Sequence, residues 1–470
     1  MLGARNWSSN ENIKLRFRTA GSTTPAKGAA EYVRVDYQDA PLRLFHLRVA
    51  VAATGGVFSD GFGLGIIGIA ARAASTSLNL GPISLGLIGG SSLAGLFVGA
   101  LLTGPLADRF GRQPIFAYNM AFLAVFSLLQ FFVSTATELI AIRLVVGLLL
   151  GTDYVVSKAL LAEFSPRIHR PRIMGALPIA WAAGYACAYF TGYEFHDSGP
   201  DSWRWTLLSS AIPALMVLPL RLATPESPMW LADHNHEGRA ARVVHGAIGA
   251  DVAPPQKSIS AVRTQLAWQQ LFASPYRRRT LVACVFFTCQ VIPYFAVGTF
   301  IPQILSALDV KSSYFGSLVY NALLLIGAVL GVIVVGRISR RRFLVGSFAI
   351  SSITMLILSL WSAPHIIFTI VLFALFASVL SAAQTLVYVY LPELFPTDLR
   401  ASGIGLAVAT SRIGSAVSTF LLPILVAHAG VRPTLAGCAA ILGTGGLLCL
   451  VFAPETKDMQ LSGVVGMPRA

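Results

Sequence analysis

Charge is what this 470-residue sequence has least of. Asp, Glu, Lys and Arg together make up 12% of it, against about a quarter in soluble globular chains. Hydrophobic residues reach 55% and the mean hydropathy is +0.69, so a water-soluble enzyme is excluded. Cysteine is sparse as well. Cys187, Cys284, Cys289, Cys438 and Cys449 all lie in apolar runs, and an odd number builds no disulfide framework; they read as small apolar packing residues. The sequence holds no phosphate-cradling Walker loop, no Ser/His/Asp or paired-carboxylate arrangement, and no His/Cys spacing suited to a metal. These absences predict no enzyme activity, no cofactor and no metal site, and they leave an ion gradient as the energy source for any work the chain performs.

What is present is a series of apolar runs of roughly 18 or more residues, the length that crosses a bilayer. Six fall near 45–70, 83–107, 114–133, 138–164, 174–195 and 204–222, and six more near 280–306, 314–335, 343–361, 366–391, 401–428 and 432–453. The predicted fold is an all-α membrane protein of twelve transmembrane helices in two six-helix bundles. Its expected parts are a tail (1–44), a first bundle (45–222), a polar central loop (223–279) with Pro254-Pro255, a second bundle (280–453) and a tail (454–470). The N-terminal tail has no apolar core before Leu44, so a cleaved secretory signal is not expected and a mobile cytoplasmic segment is. With both termini cytoplasmic, the inner segments carry 27 of the 35 Lys and Arg. The outer ones carry four, Arg72, Arg204, Lys311 and Arg432, and Arg48, Arg143, Lys158 and Arg412 fall within spans. That asymmetry predicts a multi-pass protein of the cell inner membrane with both termini inside. It also explains the net charge of +14 as topology, and nucleic acid is not an expected partner.

The two sets of spans share punctuation. Glu163-Phe-Ser-Pro166 with Arg170 recurs as Glu393-Leu-Phe-Pro396 with Arg400, Pro225-Glu226-Ser227 recurs as Pro454-Glu455-Thr456, and the Gly111-Arg112 turn is echoed by Arg340-Arg341. One offset for three landmarks implies duplicated halves, with a binding site between them near the bilayer midplane as a rocking transporter requires. The string Gly104-Pro-Leu-Ala-Asp108-Arg109-Phe-Gly111-Arg112, with Pro-Glu-Ser-Pro at 225–228, Pro-Glu-Leu-Phe-Pro-Thr at 392–397 and Pro-Glu-Thr-Lys at 454–457, resembles the sugar-porter and metabolite:proton symporter branch of the major facilitator superfamily. Gly151-Thr-Asp153-Tyr154 further resembles the fourth span of phosphate:proton symporters, and Ala162-Glu163-Phe-Ser-Pro166 resembles bacterial inner-membrane metabolite transporters.

Ionisable groups inside a bilayer are costly and mark function by default. Asp60 on span one and Arg143 on span four fall at similar depth, so the two could form a pair that a proton breaks; the resemblance implies a proton-coupling role for both. The alternatives are a static pair, or Asp60 capping a break in the glycine-rich stretch. Asp153, a third candidate for proton coupling, shares a height with Arg412. Arg412 on span eleven matches a carboxylate or phosphate, unless it is held by Asp153 across the bundles. The resemblance implies that Tyr154 contacts substrate, while Lys158 reads as a residue that snorkels to the inner face. Gln290 and Tyr294, with the kink at Pro293, and Gln384, Tyr388 and Trp181 are further cavity candidates. Asp108, Arg109, Arg112, Glu163, Arg170, Glu226, Glu393, Arg400 and Glu455 are expected to form conformational charge latches at the inner face. Gly63-x-Gly65-x-x-Gly68 satisfies a dinucleotide fingerprint, but in a membrane span it predicts helix packing. The expectation is a monomeric carrier that imports a small organic anion, a carboxylate with or without an aromatic ring, together with protons by alternating access. A proton-driven exporter, a sugar or phosphate porter and a non-transporting membrane sensor are the rivals.

Overall fold

The computed structural model of the chain describes residues 35–197, 199–256, 269–308, 313–361 and 366–456. Twelve helices long and apolar enough to cross a membrane run along it: Leu44–Ser77, Pro82–Phe110, Arg112–Phe132, Ala136–Phe164, Arg170–Phe195 and Ser202–Leu222, then Arg277–Thr299, Ser313–Val335, Arg340–Leu360, Ile367–Glu393, Ser402–Ala429 and Val431–Phe452. They are numbered here as spans one to twelve. The N-terminal residues before 35, Lys311 and the C-terminal tail from 457 lie outside the described residues.

Helix ends carry their own sequence logic. Span four opens on a capping box in which the Thr135 hydroxyl accepts from the Glu138 amide at 3.2 Å and the Glu138 carboxylate accepts from the Thr135 amide at 3.3 Å. Spans three and nine begin where the Glu226 carboxylate accepts from the amides of Arg112 and Gln113, and the Glu455 carboxylate accepts from those of Arg340 and Arg341. An acid at the positive end of a helix dipole therefore occurs once per half, at the same place. Span one outruns its expected length by reaching Ser77. Span seven breaks at Phe300 and resumes as Ile301–Ala307, led by Pro302.

Within each half, spans cross where glycine removes the Cβ. Gly95 and Gly99 of span two meet carbonyls of span four, and Gly147 and Gly151 of span four meet carbonyls of span two; a side chain at any of them would collide with backbone. Gly327 and Gly331 of span eight repeat the device against span ten. This small-residue packing replaces the hydrophobic drive that lipid cannot supply. Gly65 and Gly68 of the apparent dinucleotide fingerprint likewise press on Tyr185 and Tyr189 of span five.

One face of the molecule carries the central loop and both chain ends. On it, residues 35–43 are docked rather than mobile as expected: Tyr37 and Ala40 pack on Val244, Ile248 and Val252, and the Arg43 guanidinium donates to both Asp251 oxygens at 2.8 Å and 2.7 Å. Hydrogen bonds from its own backbone amide and from Arg43 hold the Asp251 carboxyl below the usual carboxylate range. On the far face the two halves close on each other. Gly86 and Gly90 of span two lie against Phe420 and Ala416 of span eleven, the Tyr189 hydroxyl donates to the Gly298 carbonyl at 2.7 Å, and Arg72 donates to the Ser313 hydroxyl and stacks over Tyr314. On the loop face, Gly104, Gly175 and Gly405 have nothing within reach of an added Cβ. The cross-half contacts of Gly86, Gly90, Tyr189 and Arg72 seal the far side.

Candidate functional site

Between the halves lies a cavity with about 70 Å³ of space open to the centres of water-sized molecules, enough for a few waters at roughly 10–15 Å³ each. Spans one, two, four and five supply one wall and spans seven, eight, ten and eleven the other, so all of it comes from one chain. Asp60, Tyr154 and Trp181 line it from the first half, and Tyr294, Gln384, Tyr388 and Arg412 from the second. Trp181 stacks on Tyr185 at 5.1 Å and meets Tyr294 and Phe295 of the opposite half at 5.8 Å and 5.9 Å. An aromatic bridge thus joins the halves beside the cavity.

Asp60 and Arg143 do not pair. Arg143 is fully buried and donates to the Ser92 hydroxyl at 2.9 Å and the Gly63 carbonyl at 3.0 Å. Gly63 sits three residues beyond Asp60, so the guanidinium meets span one almost a turn away from the carboxylate, with neutral acceptors on spans one and two and Nη2 left unpartnered. Asp60 is buried, faces the cavity, and neither of its oxygens has a hydrogen-bond partner.

Asp153 is not held by Arg412 either. It is the buried partner of Arg221 on span six, whose guanidinium donates to both of its oxygens, to the Ser157 hydroxyl at 3.0 Å and to the Phe116 carbonyl at 3.1 Å. Arg221 had counted as an inner-face charge in the sequence, yet it is completely buried. Gly56 makes room for the pair: a Cβ there would overlap the guanidinium and sit 2.7 Å from Asp153 Oδ2. Ion pairs this deep contribute little net stability but are expensive to break.

Lys158 does not snorkel away. Its ammonium lies 3.1 Å from the centroid of the Tyr154 ring and 4.9 Å from that of Tyr388. The Arg412 guanidinium lies 5.2 Å from the Tyr154 centroid and 5.7 Å from that of Phe295, with its Nε unpartnered. Among the described residues neither cation has a carboxylate within ion-pair distance. Two unit charges at most about 8 Å apart repel by at least roughly 2 kcal/mol at an effective dielectric constant near 20, so the surroundings of Tyr154 favour an anion.

Residues 49–465 match the family described as sugar (and other) transporter. The chain belongs to that family. The inner membrane metabolite transport protein YgcS of Escherichia coli (strain K12) is 40% identical over 92% of this chain and 97% of its own. The niacin transporter NiaP of Acinetobacter baylyi is 25% identical over 91% of this chain and 98% of its own. Among solved structures, the inward-open xylose transporter XylE from E. coli superimposes with a TM-score of 0.75 at 20% identity, covering 89% of this chain and 98% of that one. The protein is a multi-pass transporter of the major facilitator fold and not an enzyme.

The expected latch residues of this transporter divide. Arg112 forms an ion pair with Glu163 and a looser one with Asp108 at 3.7 Å; Arg340 pairs with Glu393 at 3.3 Å. Each pair ties neighbouring spans of the same half. Arg170 donates to the Ser165 carbonyl and Arg400 to the Pro392 carbonyl, so neither reaches a carboxylate, and Arg109 is exposed beside the Phe110 ring. None of these latch pairs joins the two halves. Gln290 is buried with an unpartnered Oε1 but does not line the cavity. Arg72 is the cross-half contact that the sequence reading passed over; its position near the end of span one was the available signal.

Proposed function

We propose that this protein imports a small organic anion, a carboxylate, with protons by alternating access. It would act as a monomer in the inner membrane with both termini in the cytoplasm. The observation that carries the reading is Arg412, a buried guanidinium facing the cavity with an unpartnered Nε and no carboxylate beside it. A guanidinium in a water-poor cavity binds a carboxylate through charge-assisted hydrogen bonds and disfavours cations. The aromatic wall of Trp181, Tyr154 and Tyr294 suits a flat substrate, in keeping with the niacin named for one relative. Asp60, unpartnered in the same cavity, is the proton site: protonation removes its charge, and only a difference between the two states can couple the gradient to rocking. Lysines and arginines gathered on the loop side favour that side as cytoplasmic. The inner membrane location named for YgcS agrees, and a cavity complete within one chain favours a monomer.

Proteoliposomes with an imposed pH gradient test this. Benzoate, nicotinate and a hexose are offered in turn; the carboxylates should accumulate when the outside is acid, and the hexose should not. Asp60→Asn should reduce gradient-driven accumulation at least about ten-fold, and Arg412→Ala should weaken carboxylate binding by a similar factor, the size of one charge-assisted hydrogen bond. Accumulation surviving in Asp60→Asn removes the proton role, and undiminished affinity in Arg412→Ala removes the anion role.

A further inference from the structure

Resting on the anion reading above, we infer that Lys158 is a second anion ligand and that the preferred substrate is a dianion, with one carboxylate on each half of the transporter. The argument begins with the Tyr154 ring. It carries a cation from each half, Lys158 at 3.1 Å and Arg412 at 5.2 Å from one centroid, so the two charges lie no farther apart than those lengths laid end to end. A short dicarboxylate can span that gap.

Of the other buried cations of the first half, Arg221 is answered by Asp153, while Arg143 lies off the cavity and donates to a hydroxyl and a carbonyl, with Nη2 left unpartnered. Lys158 has no carboxylate within ion-pair distance among the described residues, and it packs on the rings of Tyr154 and Tyr388, two residues of the cavity wall. Cation–π contact supports an ammonium without neutralising it, so a bound anion would complete its charge. The cavity's own acid is Asp60, which makes no ion pair with either cation. With Asp60 protonated, Arg412 on the cavity wall and Lys158 beside the wall residue Tyr154 carry two positive charges, and a dianion carried with one proton closes the count. A monoanion leaves one charge unanswered in a water-poor site. Lys158 also touches Tyr388 of the opposite half, so a ligand held by both cations would bridge the halves beside that contact.

The test uses the full chain purified in nanodiscs at mildly acidic pH, with benzoate, phthalate, isophthalate and terephthalate as probes. Quenching of tryptophan fluorescence is the readout, since Trp181 lines the cavity. The best-spaced dicarboxylate should bind about ten-fold or more tightly than benzoate, the worth of one additional charge-assisted hydrogen bond. That ratio should fall below about three in Lys158→Gln and be largely kept in Lys158→Arg. A ratio is read within one preparation, so a lowered folded fraction does not imitate the result. A wild-type ratio near one, with benzoate still bound, overturns this inference alone. So does a ratio that survives Lys158→Gln, which would make the lysine a packing residue over Tyr154. Failure of the wild type to bind any of the four probes overturns the inference, and binding of a neutral hexose instead would take the anion reading with it.

Discussion

The two halves share a backbone plan and differ in what they bury. The first half holds Asp60, Arg143, Asp153, Lys158 and Arg221 within its spans, whereas the corresponding depth of the second half offers Arg412, with Gln384, Tyr294 and Tyr388 as its polar cavity groups. The cytoplasmic-type motifs, by contrast, are repeated almost position for position, with Glu226 and Glu455 on the starts of spans three and nine and with Arg112–Glu163 matched by Arg340–Glu393. Duplication preserved what holds each bundle together, and the buried charges diverged. A motif that repeats across the halves is therefore architectural, and an ionisable group without an echo is where function is to be sought.

The largest effect that would break this contrast sits in the first half. Arg221→Ala leaves Asp153 buried without a counter-charge and should destabilise the protein by about 3–5 kcal/mol, while Arg412→Ala, which strands no acid, should cost little stability. Thermal unfolding in detergent compares the two directly. Gly56→Ala should behave as a weaker version of Arg221→Ala, because its methyl overlaps the guanidinium. Equal melting temperatures for the Arg221 and Arg412 variants would erase the distinction between structural and functional charge. Next in size is the repeated motif. Glu226→Gln and Glu455→Gln each remove an acid from a helix start, worth roughly 0.3–1 kcal/mol, and the two losses should be alike. A loss confined to one half would show that the latches are not architectural.

The spans were legible in the sequence because crossing a bilayer demands long apolar runs, and the duplication was legible because turns and caps are made of specific residues. What depth along a helix does not reveal is azimuth. Asp60 and Arg143 share a height, yet Arg143 meets span one at Gly63. Arg221 is the next-to-last residue of its span, a position from which an arginine can reach the surface, and only packing turns it inward. Lys158 was readable in principle: it follows Tyr154 by four residues and so shares its helix face, which sets it against the Tyr154 ring rather than at the lipid edge.

The smallest effect sharpens the comparison between the two faces. Tyr189 donates to the Gly298 carbonyl across the far-side seam, a neutral hydrogen bond worth about 0.5–1.5 kcal/mol. The bond exists only while that face is closed, so Tyr189→Phe should shift the population toward the far-side-open state by a few-fold. The measurement is the labelling rate of Thr299→Cys by an impermeant thiol reagent applied from the far side, in a background with the native cysteines replaced by serine. Labelling should rise by that factor and fall back when a bound carboxylate occupies the cavity. An unchanged rate would mean that the glycine contacts at Gly68, Gly86 and Gly90 hold the seam closed without the hydroxyl, placing the gate in the backbone packing that both halves share.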